Sequence, residues 1–312
     1  MNIHNETSCI PKGVVIVHKG ALGDFLHIWP SLVALRRHFG PTPLYWAGRQ
    51  AYRLWTDPLD LLPCPELLRQ ATDRLYSAST WPPELDGFLV IWFGLHTPPT
   101  HLFFSDLWFL PGIVPGTYAP PRRMYARALA DLGIAESPDW LCTWQTLFCT
   151  PPGPGHTRRV LLFPGAGHQA KCWPLSRYMQ LADWLLDRGL TPMFVLGPAE
   201  RERGMEVQKF QLLQPGNLGE LQETLNQAGL VVGNDSGPMH LAGLMGLDGL
   251  ALFGPAAAGQ WGPLGLTCLQ ADISCSPCTQ TGRIQCAHPV CMEGLSGTEV
   301  KQTVLALCGK RK

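Results

Sequence analysis

Charge is scarce in this 312-residue chain. Only 15% of residues are Asp, Glu, Lys or Arg, and 24 basic residues balance 24 acidic ones. With no basic excess to neutralise phosphates, the composition argues against a general nucleic-acid binder. A hydrophobic share of 46% at zero net charge argues against long disordered regions. Long apolar runs are also missing: no stretch reaches the ~20 residues that span a bilayer. The segment Met1–Gly13 is polar, holds Glu6 and Pro11, and lacks the apolar core of a signal peptide. A cytoplasmic protein, or one peripheral at the inner membrane face, is the expectation.

Glycine (33), proline (29), tryptophan (11) and cysteine (11) are what the chain has in quantity. Its length suits about two domains. Eleven is an odd number of cysteines, and Cys9, Cys64, Cys142, Cys149, Cys172, Cys268 and Cys308 are scattered, which fits reduced thiols. A neutral, tryptophan-rich surface is weakly protected against association, so part of it is expected to meet a partner or a membrane.

Val14–Val17 is a short β-branched run and reads as a buried strand. The loop 19–24 follows, then a helical pattern over Phe25–His38 that contains Pro30. Leu44–Ala47 and Leu89–Phe93 read as strands, and Arg122–Leu132 as a helix stopped by Gly133. Trp108–Pro121 is too rich in proline for an assignment. Five consecutive Pro/Gly residues, Pro151–Gly155, continue neither regular element and predict a linker that divides the chain into 1–152 and 153–312. Beyond it, strands (Val160–Phe163, Met193–Leu196, Leu230–Val232, Leu250–Phe253) alternate with helices (Leu175–Arg188, Leu218–Ala228, Pro238–Met245). That alternation predicts βαβ units on a parallel sheet, which binds ligands beyond the carboxyl ends of its strands.

Those ends carry the informative loops. Gly20-Ala21-Leu22-Gly23-Asp24 lies between strand and helix. Asp24 suits either a helix cap or a general base, and its two oxygens allow both. Phe163-Pro164-Gly165-Ala166-Gly167 precedes Lys171, placed to neutralise a phosphate or simply to face solvent. It is neither a dinucleotide fingerprint, lacking the third glycine, nor a Walker loop. Gly233-Asn234-Asp235-Ser236-Gly237-Pro238-Met239-His240 opens a helix with proline in its first turn, a ready anion site. His240 there is either a ligand contact or a core histidine. Glu200, after Gly197-Pro198, suits ribose hydroxyls or its own helix dipole. Cys275, Cys278, Cys286 and Cys291 have rough zinc-site spacing, with free thiols or a disulfide as the plainer alternatives.

In this order the motifs, with Trp173, Phe253-Gly254-Pro255 and Trp261-Gly262-Pro263, resemble glycosyltransferase family 9, the ADP-heptose:lipopolysaccharide heptosyltransferases. The resemblance runs from about Val14 to Leu307 and implies a GT-B fold, two Rossmann-like α/β domains facing across a cleft. The first domain would take a lipid-linked or glycan acceptor and the second the nucleotide sugar, with ADP-heptose the expected donor. The last helix, near Thr298–Leu307, would pack back on the first domain. Asp24 corresponds to the general base and Lys171 to the lysine near the donor phosphates. Glu200 corresponds to the acid at the ribose, and Asp235, Ser236, Gly237, Met239 and His240 to the donor loop, with Gly23 and Gly165 beside them. The implied chemistry is inverting and needs no metal cofactor, and the chain has no Asp-x-Asp motif. A monomer is expected. Residues 1–150 hold 11 Lys+Arg against 12 Asp+Glu, which does not advertise a strongly acidic acceptor. The alternatives are a nucleotide-sugar epimerase of the same fold and a non-enzymatic scaffold held by a four-cysteine metal site.

Overall fold

The computed structural model describes residues 11–77, 79–96, 98, 103–150, 155–278, 284, 286 and 289–309. Two parallel sheets organise them. The first contains β1 (Gly13–His18), β2 (Leu44–Gly48), β3 (Leu61–Pro63), β4 (Phe88–Gly94) and β5 (Leu107–Pro111), in the order β3-β2-β1-β4-β5. The second contains β6 (Arg159–Phe163), β7 (Thr191–Val195), β8 (Gln211–Leu213), β9 (Leu230–Asn234), β10 (Asp248–Phe253) and β11 (Thr267–Gln270), in the order β11-β10-β9-β6-β7-β8.

Both sheets are wound alike. The chain runs outward through three strands, returns to the other side of the first, and continues. The order therefore reverses between β1 and β4 and again between β6 and β9, and each reversal opens a crevice at the carboxyl ends of those strands. β1 is buried along its whole length, because helices cover both faces of the sheet; this is why it reads as an unbroken apolar run rather than an alternating one. β3 and β8 have three residues each, too short for a period, and β5 emerges from the proline-rich stretch left unassigned.

The helices that matter to the site are α1 (Leu22–Phe39), α2 (Pro121–Asp131), α3 (Trp140–Phe148), α4 (Leu175–Leu186), α5 (Pro198–Glu202), α6 (Leu218–Asn226), α7 (Gly237–Leu244) and α8 (Gly297–Gly309). α1 starts three residues before the predicted Phe25 and continues through Pro30. α3 lies where the halves meet. Its Trp144 packs edge-on against Trp29 of α1 with ring centroids 4.8 Å apart, and Phe148 stands 5.4 Å from Trp29. Leu241 and Ala242 of α7 belong to the same apolar core, so burial continues from one half into the other. Gln222 of α6 adds a polar tie, accepting from Trp55 Nε1 at 2.6 Å and donating to the Phe148 carbonyl at 3.0 Å. Residues 151–154 of the expected linker lie outside the described residues. The last helix departs from expectation. Val300, Val304 and Leu307 of α8 are buried in the core of the second half, with Leu181 and Leu185 of α4, rather than on the first half. No described helix is long and apolar enough to cross a membrane.

Candidate functional site

The loop after β1 turns back over the first turn of α1. A Cβ on Gly20 would stand 2.7 Å from both Asp24 Cβ and His18 Nε2, so glycine is what lets the backbone pass there. Asp24 is the third helical residue, and its Oδ2 accepts the Ala21 N–H at 3.0 Å. It therefore caps α1 through one oxygen and leaves the other for chemistry. Burial pushes its carboxyl above the usual range, against the opposing pull of the Ala21 N–H and the Lys171 charge. A half-buried carboxylate with raised proton affinity is what a general base needs.

On the opposite side, Lys171 ends a short turn after β6 and donates to Asp235 Oδ2 at 2.7 Å. Asp235 follows β9 and is nearly buried, with 8% of its side chain exposed. Ser236 follows as the N-cap of α7. Its Oγ is buried and finds no partner among the described residues, an open donor beside the free N–H groups of the helix. Gly23, Asp24, Lys171, Asp235, Ser236, Gly237 and His240 all line one cleft of about 440 Å³ between the halves. Asp24 also lines a second cavity of about 390 Å³, within the first half at the ends of β1 and β4.

Gly23 and Gly237 face each other across the junction. A Cβ on Gly237 would stand 2.8 Å from the Leu22 Cβ, and one on Gly23 would press on the His240 ring at 3.3 Å. Both glycines thus serve the close approach of the halves. His240 is buried with its ring 4.9 Å from that of His27 in an edge contact, and burial holds it neutral, down to about 4. His27 is pushed well below its ordinary value by burial and by His240, and its Nε2 is unpartnered. This packing role for His240 is the plainer of its two readings, although the ring also borders the cleft.

Three expected contacts stand back from the cleft. Glu200 accepts the Gly197 N–H at 3.0 Å, capping α5, and lies against Gly165, where a Cβ would collide with its carboxylate at 2.2 Å. Gly165 is therefore required by Glu200. Met239 does not reach the cleft: it is fully buried under β9, against Gly233 and the core. Its helical position, one residue from His240, turns it inward.

The sequence reading missed the residue that ties the two donor-side loops together. Asn234 is fully buried. It donates to the Pro164 carbonyl at 2.8 Å and accepts from the Trp173 N–H at 3.0 Å and Tyr178 Oη at 3.1 Å. Asn234→Ala would orphan at least two of these buried partners, at about 1–3 kcal/mol each. Urea unfolding should show a loss of about 2–4 kcal/mol. Arg203 was also missed. It holds the Gly-rich loop through the Ala166 carbonyl at 2.9 Å and the Gly167 carbonyl at 3.3 Å.

Of the four clustered cysteines, Cys291 is buried and Cys275, Cys278 and Cys286 are exposed. Burial raises the Cys291 thiol. Among the described residues no three of His, Cys, Asp or Glu converge as metal ligands.

Residues 137–288 match the model of glycosyltransferase family 9 (heptosyltransferase). Lipopolysaccharide heptosyltransferase 1 of Pseudomonas aeruginosa is 29% identical over 165 residues, which is 50% of this chain and 45% of that protein. Lipooligosaccharide heptosyltransferase 2 of Campylobacter jejuni is 27% identical over 161 residues, 47% of this chain and 50% of that one. The chain spans about half the length of the curated relatives it matches. A family 9 glycosyl transferase from Veillonella parvula superposes with a TM-score of 0.68 at 20% identity, covering 96% of this chain and 98% of that one. The E. coli heptosyltransferase WaaC with ADP gives 0.68 at 16% identity, covering 94% and 99%. TibC of enterotoxigenic E. coli, described as an iron-containing dodecameric glycosyltransferase, gives 0.65 at 15% identity, covering 97% and 77%. Over residues 137–288 the chain is thus similar to glycosyltransferase family 9, and the two sheets together form the GT-B fold.

Proposed function

We propose that the protein is an inverting glycosyltransferase that moves a heptose from ADP-heptose to a lipopolysaccharide core or related glycan. One observation carries this reading: Asp24 lines both cavities, and the one between the halves also holds Lys171 and the N-terminus of α7. The donor diphosphate lies at Ser236–Gly237 and Lys171, and the acceptor enters from the first half. The acceptor oxygen attacks C1, its proton passes to Asp24, and the C1–O bond to the diphosphate breaks with its electron pair on the leaving oxygen. Attack opposite the leaving group inverts C1. Lys171 gives up part of its bond to Asp235 to meet the charge that develops on the diphosphate, and the N–H groups of α7 meet the rest. These groups supply charge stabilisation without a metal, so turnover should be unchanged by a chelator.

The family match and the curated heptosyltransferase relatives support the choice of sugar, and the structural relative with bound ADP supports the nucleotide. A thermal-shift comparison of nucleotide sugars tests the donor. ADP-heptose should raise the melting temperature more than UDP- or GDP-sugars do. Equal shifts from all of them would remove the donor assignment.

A further inference from the structure

We propose that the cavity beside Asp24 in the first half receives an uncharged pyranose ring of the acceptor, laid against Trp92 and Tyr76, and rejects rings that carry a phosphate or carboxylate there. This rests on the transferase reading above and names the substrate class of its acceptor side.

The cavity is small for a ligand site, about 390 Å³. Asp24 borders it on one side, and aromatic rings form much of the rest. Trp92 lies on β4 with Tyr76 5.6 Å away and Phe109, its neighbour on β5, at 6.4 Å. Tyr125 is pinned by its hydroxyl, which donates to the Gly94 carbonyl at 3.1 Å. Tyr76 is half exposed beside Trp92, at the surface rather than in the core. A pyranose offers an apolar C–H face, slightly positive, that suits the negative face of an aromatic ring, while its hydroxyl edge reaches a carboxylate.

The charges around the cavity are closed on one another. Lys19 is the lining cation among the described residues and is ion-paired to Asp73. Arg69 holds the other oxygen of Asp73 at 3.1 Å and is itself bonded to Glu66. Two basic and two acidic groups thus cancel. An anionic acceptor would have to compete with Asp73 for Lys19, an exposed pair that exchanges at small cost, and would sit beside the Asp24 carboxylate, whose repulsion is what chiefly opposes it. Arg49, whose charge reaches Asp24, does not line this cavity. The near balance of charge across residues 1–150 points the same way.

Saturation-transfer NMR on the whole protein tests this with methyl β-D-glucopyranoside, methyl α-D-mannopyranoside and the 6-phosphate of each, alongside ADP calorimetry. The neutral glycosides should take up saturation and the phosphates should not. Tyr76→Ala should weaken the neutral signal about fivefold, and Tyr76→Phe, which keeps the ring, should restore it. Phosphorylated sugars binding as well as neutral ones would overturn the proposal. So would a neutral signal unchanged in both Tyr76→Ala and Trp92→Ala. If ADP binds and no neutral glycoside does, the acceptor assignment falls and the transferase reading stands. If ADP does not bind, the transferase reading falls first.

Discussion

Asp24→Asn should lower kcat by about 10²–10⁴-fold while leaving ADP affinity nearly intact. The substitution keeps an oxygen to accept the Ala21 N–H, so the start of α1 survives. What it removes is the proposed proton acceptor. The pH profile separates this from a loss of structure. Asp24 must be ionised to accept a proton, and burial raises its proton affinity. Activity should therefore fall as pH drops through a value above the ordinary carboxylate range of about 4. In Asp24→Asn the residual rate should show no such acid limb. His18 and His240, both held neutral down to about 4 by burial, do not titrate in the neutral range and do not confuse the profile.

Lys171→Ala should cost about 2–4 kcal/mol of transition-state stabilisation, seen as a fall of about 30- to 900-fold in kcat. The lysine is the one cation lining the cleft among the described residues, and its removal leaves nearly buried Asp235 without its partner. Part of the loss therefore comes from an uncompensated carboxylate facing an anionic donor. The double substitution Lys171→Ala with Asp235→Asn should recover some donor affinity but not kcat, because removing the Asp235 charge does not replace the lysine's share of the developing charge. A second signature ties the two sites together. Lys171 favours the ionised form of Asp24, so Lys171→Ala should move the acid limb to still higher pH. Steady-state rates across pH for the three proteins check both effects.

The loops of the site were legible in the sequence because glycine, proline and aspartate punctuate them locally. Asp24, Lys171, Asp235 and Ser236 stood out by their positions at strand ends and by the family resemblance, and they line one cleft. What joins them was not legible. The Lys171–Asp235 ion pair spans 64 residues, and the contact of His27 with His240 depends on how two halves pack. Asn234 was visible only as part of a motif, since its four-way role exists once β6 and β9 are side by side. Met239 was misplaced because a loop motif says nothing about which side of the first helical turn faces inward. The last helix followed an implied family habit, while its own apolar positions, Val300, Val304 and Leu307, found their partners nearer at hand. Three-residue edge strands escaped because two periods of alternation need more residues than they have.

The most direct test of the central claim is the fate of ADP-heptose with and without a lipopolysaccharide core acceptor. ADP release and the mass of the acceptor are followed together in the wild-type protein. The account predicts ADP release that depends on acceptor, one heptose added per acceptor, and inverted configuration at its C1. Release at the same rate without acceptor, or a nucleotide sugar returned as its epimer, would contradict it.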